Sequence, residues 1–396
     1  MSPTHRLTLG LGTTQLVAWA VSFYMPAVIA APAAAELGMS RGELLAGFSW
    51  ALIAAGATAP QAGRWIGRHG GRVPLVAGAV TLALGLCLLA VARRALTWYL
   101  GWTVTGVGMA LGLYDAVFAT LGGMLGRDAR PAITGVTLMG GFASSVGWPV
   151  GAALTDLVGW RGTLLAYAGA VLVINLPIFV LLVPRKVATA AAAPSVSTPT
   201  RALIRGRGGP LACLSGFLAV RWFVTSALAV AILPLLGGMG LSSGEAIAAS
   251  ALIGPGQVAG RLLEWSAGNR FGLIGRALLG AALAPVGIAV LLWGRGLAGP
   301  AVAASAFALL YGMSNGIMTI NRGTLPLAIF GPKDYAALLG WLAVPVLLAQ
   351  AAAPTLTAPF VTSRPSAEIF GAAGILAILA LILLLPLRPK PAAAAE

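Results

Sequence analysis

Stretches long enough to cross a lipid bilayer recur along this chain, and a bilayer tolerates only helices or closed barrels. About 20 apolar residues, rising 1.5 Å each, cross about 30 Å of hydrocarbon. Twelve such segments can be read, at 8–33, 44–64, 73–92, 97–125, 131–158, 162–184, 211–237, 245–264, 273–293, 299–330, 336–361 and 367–387. Composition agrees: of 396 residues, 59% are hydrophobic and 9% charged, against about 25% charged in soluble domains. The first segment ends in the cleavable-looking "APAAAE", but it is too long for a signal-peptide core and is read as a helix.

The net charge of +15 does not point to nucleic acid. The basic residues fill short gaps between apolar segments rather than one polar face or tail. Cys87 and Cys213 lie inside apolar segments, and His5 and His69 in polar flanks. No disulfide framework, metal site or cofactor is expected.

The longest gap, 185–210, holds "ATAAAAPSVSTPT". An Ala/Pro/Ser/Thr run without an apolar face reads as a flexible linker. It divides the chain into an N-terminal six-helix bundle (1–184), a linker (185–210) and a C-terminal six-helix bundle (211–396). With the N-terminus inside, 17 of the 25 Lys and Arg residues flank the inner side and 6 the outer. Both termini and the linker are therefore expected in the cytoplasm of a multi-pass inner-membrane protein.

The halves repeat. "GMSRGE" (38–43) and "GLSSGE" (240–245) each carry Ser-x-x-Glu, a capping box that opens a helix. Both of the following helices end in "AGR", at 62–64 and 259–261. "GRDARPAITG" (126–135) aligns with "GPKDYAALLG" (331–340), which sets Pro149 opposite Pro354. Paired repeats are the pattern of secondary transporters that bind at the midplane.

With these features the sequence resembles the major facilitator superfamily over nearly its whole length. The local match is "GRWIGRHGGR" (63–72), where Gly63, Arg68, Gly70 and Arg72 fit the family's loop between the second and third helices. Gly67 stands where the family has an Asp that helps lock the cytoplasmic side, and Gly71 where it has a basic residue. Arg261 and Glu264 in "GRLLEW" are the candidate gating counterpart in the second half. The resemblance implies an all-α integral membrane protein of twelve transmembrane helices in two pseudo-symmetric bundles. One chain supplies both halves, so a monomer suffices.

Three ionisable residues lie deep in the apolar segments. Asp115 is twelve residues before Arg127, about 18 Å of helix. Arg322 is eleven residues before Lys333, and Arg221 is about as far from the linker. A cation at the helix centre costs at least about 2.5–3.5 kcal/mol, so such residues usually face the protein interior or a watery cavity. The resemblance adds that helices 1, 4, 7 and 10 line the central cavity. Asp115, Arg221 and Arg322 fall on helices 4, 7 and 10, with Gln15 and Trp19 on helix 1. Tyr311, Asn315, Met318 and Arg322 form one stripe by their spacing, and Tyr114, Trp19, Phe23, Tyr24 and Trp222 can wall the site.

The expected activity is secondary transport of a small organic anion of carboxylate type, which Arg grips through two hydrogen bonds. Asp115 is the deep acid that can carry a proton. Burial favours a protonated carboxyl and a neighbouring cation an ionised one, so the sequence leaves proton coupling open. The alternative is proton-coupled efflux of drugs or toxic compounds. "GWPVG" (147–151) loosely resembles the family's antiporter motif, with Trp148 interrupting the Gly-Pro pair. Enzymatic activity is not expected, because the membrane segments hold no histidine and no grouping of nucleophile, base or metal ligands.

Overall fold

The computed structural model describes residues 2–185, 208–266 and 272–388, and all regular structure among them is helical. In chain order the helices are α1 Pro3–Trp19, α2 Pro26–Leu37, α3 Arg41–His69, α4 Arg72–Ala90, α5 Ala95–Gly112, α6 Tyr114–Leu125, α7 Ala129–Gly140 and α8 Ala143–Ala170. There follow α9 Leu176–Leu182, α10 Gly208–Gly237, α11 Ser243–Ala251, α12 Ile253–Ser266, α13 Gly272–Ala298, α14 Pro300–Phe330, α15 Tyr335–Ser363 and α16 Ser366–Leu384. Single π turns join α1 to α2 and α8 to α9.

Among the described residues, nine helical runs are long and apolar enough to cross a membrane. A tenth arises if Pro3–Tyr24 and Val28–Leu37, bent by 41°, form one span. The run Ala95–Leu182 has 88 residues, about 130 Å of helix, and so exceeds a single crossing several times over. It turns at Gly126 and Gly159, whose φ angles of 58° and 70° only glycine adopts without strain. This run takes in three of the sequence segments, 97–125, 131–158 and 162–184.

Packing divides the chain into two compact units. The first is Met1–Leu203 with Gly331–Leu347, and the second is Ile204–Phe330 with Leu348–Glu396. The first unit therefore takes in the opening stretch of α15, which the sequence division at 185–210 assigns to the second half. The expected linker lies, from 186 to 207, outside the described residues.

The two repeat loops form the same local structure. The Glu43 carboxylate accepts from the Ser40 N–H at 2.8 Å, while Ser40 Oγ accepts from the Glu43 N–H at 3.2 Å. The Ser242 N–H donates to Glu245 at 2.9 Å, and Ser242 Oγ accepts from the Glu245 N–H at 3.4 Å. Each box satisfies donors that a helix start leaves open.

In the first unit, aromatic rings form a continuous chain through Trp98, Trp102, Phe48, Phe23, Trp19 and Tyr114, with centroids 4.9–6.0 Å apart. A polar clasp ties α2 to α8. Glu36 accepts from Trp160 Nε1 at 2.6 Å and from Arg161 Nε at 2.9 Å, while Arg161 also donates to the carbonyls of Ala90 and Ala92.

In the second unit, α12 and α14 meet backbone to backbone. A Cβ on Gly260 would stand 2.2 Å from the Met313 carbonyl oxygen, and one on Gly316 2.1 Å from that of Gln257. Membrane helices associate through such close approaches because lipid supplies no hydrophobic drive between them. Gly316→Leu is expected to destabilise the second unit by about 1–3 kcal/mol, read as a lower Tm in detergent. An unchanged Tm would show that the two backbones do not meet.

Candidate functional site

Arg221 sits on α10 and is 2% exposed. Its Nη2 donates to Asn315 Oδ1 at 2.5 Å and to Ser314 Oγ at 3.0 Å. Its Nη1 donates to Thr225 Oγ1 at 2.8 Å, one turn along the same helix. The guanidinium lies 5.5 Å from the centre of the Tyr311 ring. Ser314 is itself fixed by donating to the Gly280 carbonyl at 2.6 Å. Every one of these partners is neutral, and the buried Arg221 Nε–H has no acceptor. Guanidinium stays charged in proteins, so α10 and α14 hold a full positive charge that neutral dipoles stabilise but do not cancel.

Arg322 is the second deep cation, on α14 at 6% exposure. Its guanidinium lies 5.2 Å from the centre of the Trp222 ring, the residue next to Arg221. Cation–π contacts of this kind favour a desolvated cation. Of the stripe read from sequence, Tyr311, Met318 and Arg322 are buried and Asn315 is partly exposed. The helix runs through Pro326 to Phe330 without interruption. Thr225 and Ser314 belong to this arrangement although the sequence reading passed over them. Thr225 could have been found, since it stands one helical turn from Arg221.

The first unit carries the other expected residues. The segment read as continuous from 97 to 125 is broken at Leu113, whose φ and ψ of −84° and −170° are extended. The break redirects hydrogen bonds. Ala116 N–H donates to the Leu113 carbonyl at 3.1 Å, so the Gly112 carbonyl loses its helical partner. Gln15, fully buried, fills that vacancy by donating Nε2 to Gly112 O at 2.8 Å. Its Oε1 has no partner. Asp115 lies in the first turn of α6, where the helix dipole favours a negative charge. The first unit also contains the buried Tyr335. Trp19 packs on Tyr114 at 4.9 Å, and Tyr114 stacks on Phe118 at 5.2 Å.

The residues of the 63–72 motif have distinct geometric roles. Gly70 closes α3 with φ 79°, and Arg72 opens α4. Gly63 lets the backbone of 331–347 approach, since a Cβ there would stand 2.3 Å from the Ala336 carbonyl oxygen. At Gly71 a Cβ would fall 2.1 Å from Thr120 Oγ1, which explains why no basic side chain occupies that place. A Cβ at Gly67 would meet only Ala336 Cβ at 3.7 Å, so packing does not account for the missing acid. Arg68 is exposed at the end of α3.

In the second unit, Arg261 and Glu264 are both buried. Glu264 pairs with Arg276 of α13 at 3.8 Å, whereas Arg261 donates to Gln257 at 3.3 Å. Among the described residues no group of three or more His, Cys, Asp or Glu side chains is placed to hold a metal ion.

Nine apolar helical runs among the described residues, each long enough to cross a membrane, define a multi-pass membrane protein. The sequence model of the Major Facilitator Superfamily matches residues 11–326, and the chain belongs to that family. Its members are transporters of small molecules rather than enzymes, and this chain is a secondary transporter. No curated protein matches it in sequence. Among solved structures it is similar to the human organic anion transporter MFSD10 (TETRAN), with TM-score 0.73 and 16% identity over 97% of this chain and 100% of that one. It is also similar to the proton:xylose symporter XylE bound to 6-bromo-6-deoxy-D-glucose, with TM-score 0.74 and 14% identity over 97% and 95% of the two chains.

Proposed function

We propose that this transporter moves a small organic anion with a carboxylate-like head across the inner membrane by alternating access. One observation carries the reading: Arg221 is buried among neutral partners and keeps an unused Nε–H. A cation held in this way is costly, and a carboxylate offsets that cost through charge-assisted hydrogen bonding. Arg322, on the adjoining helix beside Trp222, supplies a second positive charge. Asn315 and Tyr311 flank Arg221 and offer an amide and a ring face to the rest of the substrate.

At 16% and 14% identity the two structural neighbours share the fold, and the names they carry differ in substrate. The choice of an anion rests on the arginines. Asp115, at the N-terminus of a half-helix, is the proposed proton carrier. The distribution of Lys and Arg supports cytoplasmic termini, and Gly63, Arg68, Gly70, Arg72, Arg261 and Glu264 are the proposed gating residues.

A thermal-shift panel tests the reading, because a ligand that binds only the folded state raises Tm. Small carboxylates are expected to stabilise the purified protein, by about 2.7 kcal/mol at a hundred times Kd. Stabilisation by lipophilic cations alone would overturn the anion reading and favour drug efflux.

A further inference from the structure

A cavity lies within the second unit. It is lined by α10, the last turns of α15 and the first turns of α16, and has a volume of about 350 Å³. That size falls in the range of about 300–1,000 Å³ typical of ligand sites. Leu228 and Ala231 of α10, Phe360 of α15, and Ala373 and Leu376 of α16 form its walls. The Thr357 hydroxyl is a polar group in the lining, and it is spent on the Ala353 carbonyl at 2.7 Å. The interior therefore accepts hydrocarbon and offers nothing to a polar ligand.

Its rim is different. Arg364 and Glu368 both border the cavity. They face each other at 3.9 Å, with side chains 63% and 59% exposed. A pair so long and so exposed contributes little by itself, so a ligand can take over both charges. The two residues flank the junction of α15 and α16, where membrane helices meet the headgroup layer. An apolar chamber below one cation and one anion matches an acyl chain below a zwitterionic head.

We infer that this cavity is a lipid site that takes one acyl chain of an ethanolamine phospholipid. The phosphate meets the Arg364 guanidinium, and the primary ammonium donates to the Glu368 carboxylate. An ammonium brings three N–H donors, which a quaternary choline lacks. An anionic lipid or a free fatty acid would leave Glu368 facing a like charge. Each methylene buried in the chamber strengthens binding about fourfold.

The test uses the full-length protein in liposomes of ethanolamine and glycerol phospholipids, with a trace of photoreactive ethanolamine phospholipid whose diazirine sits on the acyl chain. After illumination, digestion and mass spectrometry, adducts are expected to concentrate on 224–235 and 357–376. Ala373→Phe and Ala231→Phe fill the chamber from two different helices, and each is expected to cut capture there at least tenfold while the protein still elutes as a single folded species. Glu368→Gln is expected to erase the preference over photoreactive phosphatidylglycerol. Adducts spread evenly over the lipid-facing helices would overturn the proposal. So would capture that persists in whichever filled variant folds, or equal capture of a photoreactive fatty acid.

Discussion

Arg322→Ala is expected to weaken binding of the transported anion by about 30-fold to 5,000-fold, the range for removing one partner of a desolvated charge pair. Arg322 is 6% exposed over Trp222, and the Tm of the ligand-free variant is the second observable. Arg221→Met makes the parallel test from α10. Its removal relieves a buried charge surrounded by Thr225, Ser314 and Asn315. The two observables separate two roles. A substrate-binding arginine loses affinity and keeps stability when replaced, whereas an arginine that braces the bundle loses stability. A fall in Tm of several degrees with unchanged affinity would assign both residues to bracing.

The second large effect is expected at Asp115. Asp115→Asn keeps the shape of the side chain and removes its ability to take up and release a proton. In proteoliposomes with an imposed pH gradient, wild-type protein is expected to accumulate substrate about tenfold per pH unit if one proton moves with it. The variant is expected to equilibrate substrate without accumulating it. Counterflow in the absence of a pH gradient should survive, since exchange needs no net proton movement. Full accumulation by Asp115→Asn would remove Asp115 from the coupling path.

Much of the architecture was legible because membrane helices announce themselves by length and composition. Ser40 with Glu43 and Ser242 with Glu245 could be read as helix starts from four residues each. Arg221, Arg322 and Asp115 stood out because ionisable residues in apolar segments are rare and expensive. What stayed hidden depends on contacts between distant segments. The break at Leu113 lies in an unbroken apolar stretch, and the group that caps it, Gln15, comes from another helix. Glu264 finds its partner in Arg276 on the next long helix, a pairing that spacing along one helix does not reveal. The absence of a basic residue at Gly71 follows from Thr120, which is remote in sequence. The cavity beneath Arg364 and Glu368 arises where three helices fail to fill space, and no one-dimensional pattern encodes that.

On this mechanism, buried arginines select an anion for transport. Counterflow in proteoliposomes tests it most directly, with a panel of labelled carboxylates, sugars and lipophilic cations exchanged against their unlabelled forms. Wild-type protein is expected to exchange one or more carboxylates, and Arg322→Ala and Arg221→Met none. Exchange of a sugar or a cation with carboxylates excluded, or carboxylate exchange that persists in both variants, would contradict it.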